Sequence, residues 1–245
     1  MPLDHTSPGQ ESRDTKDRIL DAAEELFGDQ GYASTSLRSV TGLADVNLAA
    51  VHYHFGSKVG LFEAVFTRRV SEINDERLNQ LDALEAPGRP EPTIEELLGA
   101  FLVPVFRRPM AKDPTWPRFQ RFVGRVLSET GEHVEAMSQV FRGVQLRFVP
   151  AFHGAVSHLA ERDVLWRTHL MVGSMCNMLS DPTRIAVLSN GACDGSDIDE
   201  TLRQMIAFFA AGMRAPAATR PVTENSPVPP AQETPKAIPT GGTPQ

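Results

Sequence analysis

The chain has 245 residues, 41% of them hydrophobic, and a formal net charge of −7. That length supports one large or two modest domains with a real core. The acidic balance excludes a generally basic nucleic-acid coat, so any binding of a polyanion must come from a local patch.

The N-terminus, MPLDHTSPGQESRD, has no apolar stretch of the kind that targets a chain for export. No run approaches the ~18 apolar residues that a membrane helix needs. Cys176 and Cys193 form neither a CxxC pair nor a zinc spacing, which fits a reducing compartment. A soluble cytoplasmic protein is expected, with no cofactor, no metal site and no membrane partner.

Residues 1–14 are polar and read as a flexible arm. Thr15 is the expected N-cap of the first helix, with Asp17 in its first turn, Ile19, Ala23, Leu26 and Phe27 as its apolar stripe, and Gly31 as its stop. Thr35 or Ser36 caps a short helix carrying Leu37, Val40 and Leu43. Ala44–Val46 make a tight turn, and Asn47 caps another short helix that ends near Phe55. Ser57 caps a fourth helix with Leu61, Phe62, Val65 and Phe66 on one side.

Two short helices joined by a tight turn (about residues 36–55) form a helix-turn-helix, whose second helix enters the major groove. The stretch NLAAVHYHFGSK fits that use. Ala50, Val51 and Phe55 supply the packing face, while His52, Tyr53 and His54 spread around the outside, where ring N–H and O–H groups reach phosphate oxygens. Adjacent helical residues point ~100° apart, so these rings cannot chelate one ion from a single face. Lys58, at the start of the next helix, places a cation beside a positive helix end.

The segment TKDRILDAAEELFGDQGYASTSLRSVTGLADVNLAAVHYHFGSKVGLFEAVF resembles the DNA-binding domain of the tetracycline-repressor (TetR) family over about fifty residues without a gap. The order ILDAAEELF, GY, TSLRSV, HYHFGSK and LF carries the resemblance. It implies an all-α chain of about nine helices, with a helix-turn-helix domain (15–66), a larger ligand-binding and dimerisation domain (67–214) and a promoter released when a small molecule binds. Carried over by position, Arg38 reaches a base or phosphate, and Leu48 and Ala49 lie at the base-facing start of the recognition helix. Tyr53, His54 and Lys58 fall at phosphate-contacting positions. With the capping residues and His52, the expected DNA-side set is Thr35, Ser36, Arg38, Asn47, Leu48, Ala49, His52, Tyr53, His54 and Lys58.

Two departures stand out. The turn has Asp45 where the family commonly has glycine, and Asp tolerates the left-handed region better than most residues. Residues 1–70 carry seven Lys/Arg against ten Asp/Glu, unfavourable for DNA at long range, but the acids lie mostly before residue 30.

After the linker APGRPEP (86–92), Thr93 and Glu96 make a capping box for a helix with Ile94, Leu97, Leu98, Phe101, Leu102, Val105 and Phe106 on its stripe. Pro104 predicts a kink. Phe119, Phe122, Val123, Val126 and Leu127 mark a sixth helix. Phe141, Val144, Phe148, Phe152 and Leu159 mark a seventh, with Pro150 in its middle. Most of the phenylalanines lie after residue 100, enough to line an apolar cavity. The expected pocket residues are Phe101, Val105, Phe106, Phe122, Val126, Phe148, Phe152 and His169. One of Arg118, Arg121, Arg125, Arg142 and Arg147 could meet a ligand anion at its mouth.

The stretch VLWRTHLMVGSMCNMLS (164–180) contains one charge, Arg167. A helix so apolar needs cover on both sides, and a second subunit is the economical cover. The last helix has one stripe of Ile198, Leu202, Met205, Ile206 and Phe209 and a flat one of Ala207, Ala210 and Ala211. Two such helices per subunit make a four-helix interface about a two-fold axis, with Val172, Gly173, Cys176, Met205 and Phe209 in it. The region from about 93 to 214 resembles the TetR branch that includes fatty-acid-responsive regulators, which implies an acyl or other lipophilic effector. Residues 215–245 contain eight prolines and no aromatic residue and read as a disordered tail.

Two other functions compete. An enzyme would draw on His153, His158 and His169 with Asp163 or Asp181, which fall in no recognised catalytic spacing. A thiol switch would use Cys176 or, better, Cys193 in its Gly-rich loop. The leading expectation is a homodimeric repressor on an inverted-repeat operator.

Overall fold

Helices account for all regular structure among the described residues of the computed structural model, which are 8–107, 116, 119, 122, 123 and 131–218. They are α1 (Pro8–Gln30), α2 (Leu37–Ala44), α3 (Leu48–Phe55), α4 (Lys58–Leu84), α5 (Ile94–Phe106), α6 (Glu132–Ala155), α7 (Glu161–Ser180), α8 (Arg184–Leu188) and α9 (Ile198–Arg214). Trp116, Phe119, Phe122 and Val123 also have helical backbone. Val126, Leu127, Arg118, Arg121 and Arg125 lie outside the described residues, as do residues 1–7 and 219–245.

The caps follow the chemistry of the sequence. Ser36, Asn47, Ser57 and Thr93 each accept a backbone N–H from the third residue on, and Ser36 and Thr93 complete capping boxes with Ser39 and Glu96. Gly31, at φ 84°, ends α1 with its N–H on the Phe27 carbonyl. The start of α1 differs from expectation. The helix begins at Pro8, so residues 8–14 are helical and Thr15 lies inside it rather than at its cap. A proline suits a first turn, where its missing N–H would have no partner, and between Pro8 and Thr15 only Gly9, in that same turn, disfavours a helix. The expected seventh helix corresponds to α6, which runs through Pro150 and ends at Ala155. Leu159, expected on it, lies beyond it and is still buried.

The element that organises the molecule is α4. It packs against α1 and α3 near its start and against α5 and α6 further on. Its buried residues Leu61, Phe62, Val65, Phe66, Val70, Ile73 and Leu81 join the helix-turn-helix and the C-terminal helices in one continuous core. In the C-terminal part, α9 packs on α5 and α7, and α7 packs on α6. The helix α7 does not lie apolar face against apolar face all round. Val164, Thr168, Met171, Met175 and Leu179 point inward, and Leu165, Trp166 and Leu170 remain exposed.

Candidate nucleic-acid interface

Val51 anchors α3 in the core, with Ala50 and Phe55 packed half-buried beside it. Everything else on this two-turn helix faces outward. Leu48, Ala49, His52 and Tyr53 are exposed, Tyr53 to 82%, and His54 is half-buried with its ring edge-on to Tyr53 at 5.0 Å. The His52 Nδ1 lies 3.0 Å from the Gly56 carbonyl, which can only accept, so this nitrogen donates inward and Nε2 is left for a partner outside. Arg38 is exposed on α2.

Two glycines fix the joint between α3 and α4. Gly56 adopts φ 72°, and a Cβ on Gly60 would sit 2.2 Å from the Phe55 carbonyl oxygen. The turn between α2 and α3 rests on Asp45 at φ 50°, in the left-handed region, as its residue type allows. Arg18, from α1, clamps that turn by donating to the carbonyls of Ala44 (2.5 Å) and Asp45 (2.8 Å). This clamp was not anticipated, because Arg18 and the turn are separated by more than twenty residues of sequence.

Thr35, expected among the DNA-side residues, faces the interior. It is buried, and its hydroxyl donates to the Gly31 carbonyl at 2.8 Å. Ser36 is exposed, with its hydroxyl engaged in the α2 cap. The acidic count of this region also needs correcting for burial. Glu24 is buried and held by Arg68 (2.8 Å) and by Nε of Arg69 (2.7 Å), so these charges answer one another inside the fold.

Lys58 occupies a more connected position than a simple phosphate anchor. Its ammonium sits 4.2 Å over the ring of Tyr32. Tyr32 in turn stacks on His133 of α6, with centroids 4.2 Å apart, and donates its hydroxyl to Glu132. Lys58, at the start of α4, is therefore linked through Tyr32 to a helix of the C-terminal part.

The phenylalanines expected to line one pocket divide into two groups. Phe122 joins Phe27, Phe62, Phe66 and Phe119 at the junction of the two parts, with centroids 5.3–6.0 Å from it. Phe101, Phe148 and Phe152 form the second group, 5.2–6.3 Å apart, with Val105 and Phe106 buried on the same α5. His169 is exposed and belongs to neither, because it lies on the outer face of α7. Arg142 is exposed, and Arg147 pairs with Asp82 and Glu85, so neither points inward.

Sequence reasoning missed a residue packed on the second group. Arg77 of α4 is 1% exposed, with its guanidinium 4.2 Å over the Phe101 ring. Asn74 and Arg77 continue the buried spacing of Val70, Ile73 and Leu81, so a polar pair on an apolar stripe was the signal available.

The expected interface residues also redistribute. Cys176, Met205 and Phe209 face the subunit's own core, Val172 is half-buried and Gly173 is exposed. The large apolar residues that face outward on α7 and α9 are Leu165 (49%), Trp166 (58%), Leu170 (60%) and Phe208 (71%). Three of the five residues expected for an enzyme hydrogen-bond to other groups of the subunit. His153 contacts the Leu159 carbonyl, His158 the Ala215 carbonyl, and Asp181 accepts from Thr183. Burial pushes the Cys176 thiol up to about 11, away from reactivity, and Cys193 is exposed. No described helix is long and apolar enough to cross a membrane.

Comparison with known proteins agrees with this architecture. Residues 19–65 match the family model for bacterial regulatory proteins of the tetR family, and residues 99–212 match that for a tetracyclin repressor-like C-terminal domain. The HTH-type transcriptional regulator AcrR of Shigella flexneri is 36% identical over 89 residues, 36% of this chain and 40% of AcrR, so the match spans less than half of that relative. The HTH-type transcriptional repressor NicS of Pseudomonas putida is 27% identical over 175 residues, 68% of this chain and 76% of NicS. Among solved structures, the transcriptional regulator FadR of Bacillus subtilis in complex with stearoyl-CoA shares the fold with a TM-score of 0.52 and 13% identity, covering 80% of this chain and 97% of that one. With a helix-turn-helix and an all-helical C-terminal part in the order these matches require, the chain belongs to the tetR family of bacterial regulatory proteins.

Proposed function

We propose that the protein is a cytoplasmic, ligand-responsive repressor that binds an inverted-repeat operator as a homodimer and leaves it when a small lipophilic effector enters the C-terminal helices. The observation that carries the DNA-binding reading is α3 itself. Only Val51 of this helix is fully buried, while Asn47, Leu48, Ala49, His52 and Tyr53 present an unbroken outward face. A short helix with one buried anchor and a free polar face suits insertion into a major groove. In this reading Arg38, Leu48 and Ala49 meet base edges, and Tyr53, His54 and Lys58 meet phosphates.

The outward Trp166, Leu170 and Phe208 support pairing of α7 and α9 with a second subunit. Phe101, Phe148 and Phe152 support an apolar effector site, and the stearoyl-CoA bound by the FadR of Bacillus subtilis makes acyl compounds the first class to try. Selection of bound sequences from a random DNA pool tests the reading. It predicts recovery of an inverted repeat whose half-sites lie roughly 34–36 Å apart. Recovery of no preferred sequence contradicts it.

A further inference from the structure

Arg77 is the least expected residue in the core. A guanidinium removed from water is expensive unless an anion answers it. Here none of the described carboxylates does. Nε donates to the Phe101 carbonyl at 2.7 Å, Nη1 to Asn74 Oδ1 at 3.2 Å, and Nη2 to the Met175 sulfur at 3.5 Å. The first two acceptors are neutral dipoles and the third is a thioether, among the weakest acceptors a protein offers. Three of the five N–H groups are used, leaving one on each terminal nitrogen.

The neighbouring Cys176 cannot supply the missing charge, because burial keeps it a neutral thiol. Burial also draws Arg77 down to about 10, which leaves it a cation at neutral pH. Asn74 is itself buried and donates to the Val140 carbonyl at 3.5 Å, so its oxygen is turned toward Arg77. Arg77 thus spans α4, α5 and α7, beside the Phe101–Phe148–Phe152 group.

We propose that Arg77 is the head-group anchor of the effector site and takes the ionised carboxylate of a lipophilic acid, with Asn74 orienting the guanidinium and the Met175 sulfur displaced. This rests on the reading of the C-terminal core as an effector site and narrows it to a class. A planar carboxylate accepts one N–H from each terminal nitrogen, the pair left over in the structure. The acyl body then lies along Phe101, Phe148 and Phe152. A neutral alcohol of the same length reaches the same rings but leaves the cation unanswered. Because Met175 belongs to α7, its displacement carries the binding event to the helix whose outer face bears Trp166 and Leu170.

The test is calorimetric titration of the full-length protein with n-alkanoates from octanoate to stearate and with the matching primary alcohols. For wild type, the acid binds roughly tenfold or more tightly than the alcohol of equal length. In Arg77→Met the ratio collapses to about one, since only area is left to recognise. Should that variant fail to fold, Arg77→Gln gives the same readout. Equal affinity for acids and alcohols in wild type, or a ratio that survives in the variant, overturns the anchor. Release of operator DNA separates this from the broader reading. If both series release it equally, the lipophilic effector site stands and the anchor falls. If neither series binds, both fall.

Discussion

Tyr32 donates its hydroxyl to Oε1 of Glu132 across 3.0 Å, joining the loop between α1 and α2 to the first turn of α6, one hundred residues later in the chain. Burial, with the Glu132 carboxylate adding to it, holds the phenol well above its ordinary pKa, so it stays protonated and able to donate. The same ring carries the Lys58 ammonium, 4.2 Å from its centroid. Tyr32 therefore links the start of α6 to Lys58, the first residue of α4.

This relationship predicts that Tyr32→Phe separates coupling from packing. The substitution keeps the ring stacked on Phe27 and His133 and removes one hydrogen bond, at a cost of about 1 kcal/mol. Operator affinity without effector stays near wild type, and the effector-induced drop in affinity shrinks. Melting temperature and operator titrations with and without effector check both halves. An unchanged effector response removes this bond from the coupling route.

Within the motif, Arg38→Ala is expected to cost about 1–3 kcal/mol of operator binding and to relax preference at one base pair. Tyr53→Phe and Lys58→Ala weaken binding to all sequences alike, and Lys58→Ala makes the salt dependence shallower. Since Tyr53 is outside the core, Tyr53→Phe leaves stability within about 0.5 kcal/mol. Binding measured on a panel of single-base operator variants distinguishes the two classes. Uniform weakening by Arg38→Ala moves that residue to the phosphate class.

Asp45 tests the turn. Asp45→Gly removes a side chain from a left-handed position while leaving the two Arg18–carbonyl bonds available. The folded state gains at most about 1 kcal/mol, partly offset by a freer unfolded chain. Loss of an exposed negative charge beside the DNA face raises operator affinity, most at low salt. A variant that binds DNA more weakly at every salt concentration contradicts this account of the turn.

The outward apolar face of α7 and α9 predicts that Leu170→Glu or Phe208→Glu produces a folded monomer. Both positions are exposed in the subunit, so helical content and monomer core are retained while the paired surface acquires a charge. Sedimentation velocity at micromolar concentration reports the change, and operator binding falls because both half-sites are no longer engaged together. A dimer that persists in both variants places the interface elsewhere.

Local chemistry was the most legible part of the sequence. Caps at Ser36, Asn47, Ser57 and Thr93 and the stop at Gly31 are properties of single side chains or single dihedral angles, and all were readable from spacing. The left-handed turn at Asp45 was legible only through the resemblance to the family, which commonly has glycine there. Which face of a helix meets which neighbour was not. Thr35 turned inward to Gly31, His169 outward to solvent, and Cys176, Met205 and Phe209 toward their own core, because stripe assignments on an apolar helix do not say which stripe is inside. The long-range contacts, Arg18 on the turn, Tyr32 on Glu132 and Arg77 on Phe101 and Met175, follow from tertiary packing and left only the polar pair Asn74 and Arg77 on an apolar stripe as a trace.

In the proposed assembly α3 of each paired subunit reads one of two successive major grooves. Its most direct measurement is the titration of full-length protein onto the DNA recovered by selection, with the two half-sites at their natural spacing and then separated by five additional base pairs. The account predicts one dimer per inverted repeat at natural spacing. It also predicts salt-sensitive affinity, with a loss of at least about tenfold when the added half-turn places the second half-site on the opposite side of the duplex. Equal affinity for both spacings, or no preference for the repeat over random DNA, contradicts it.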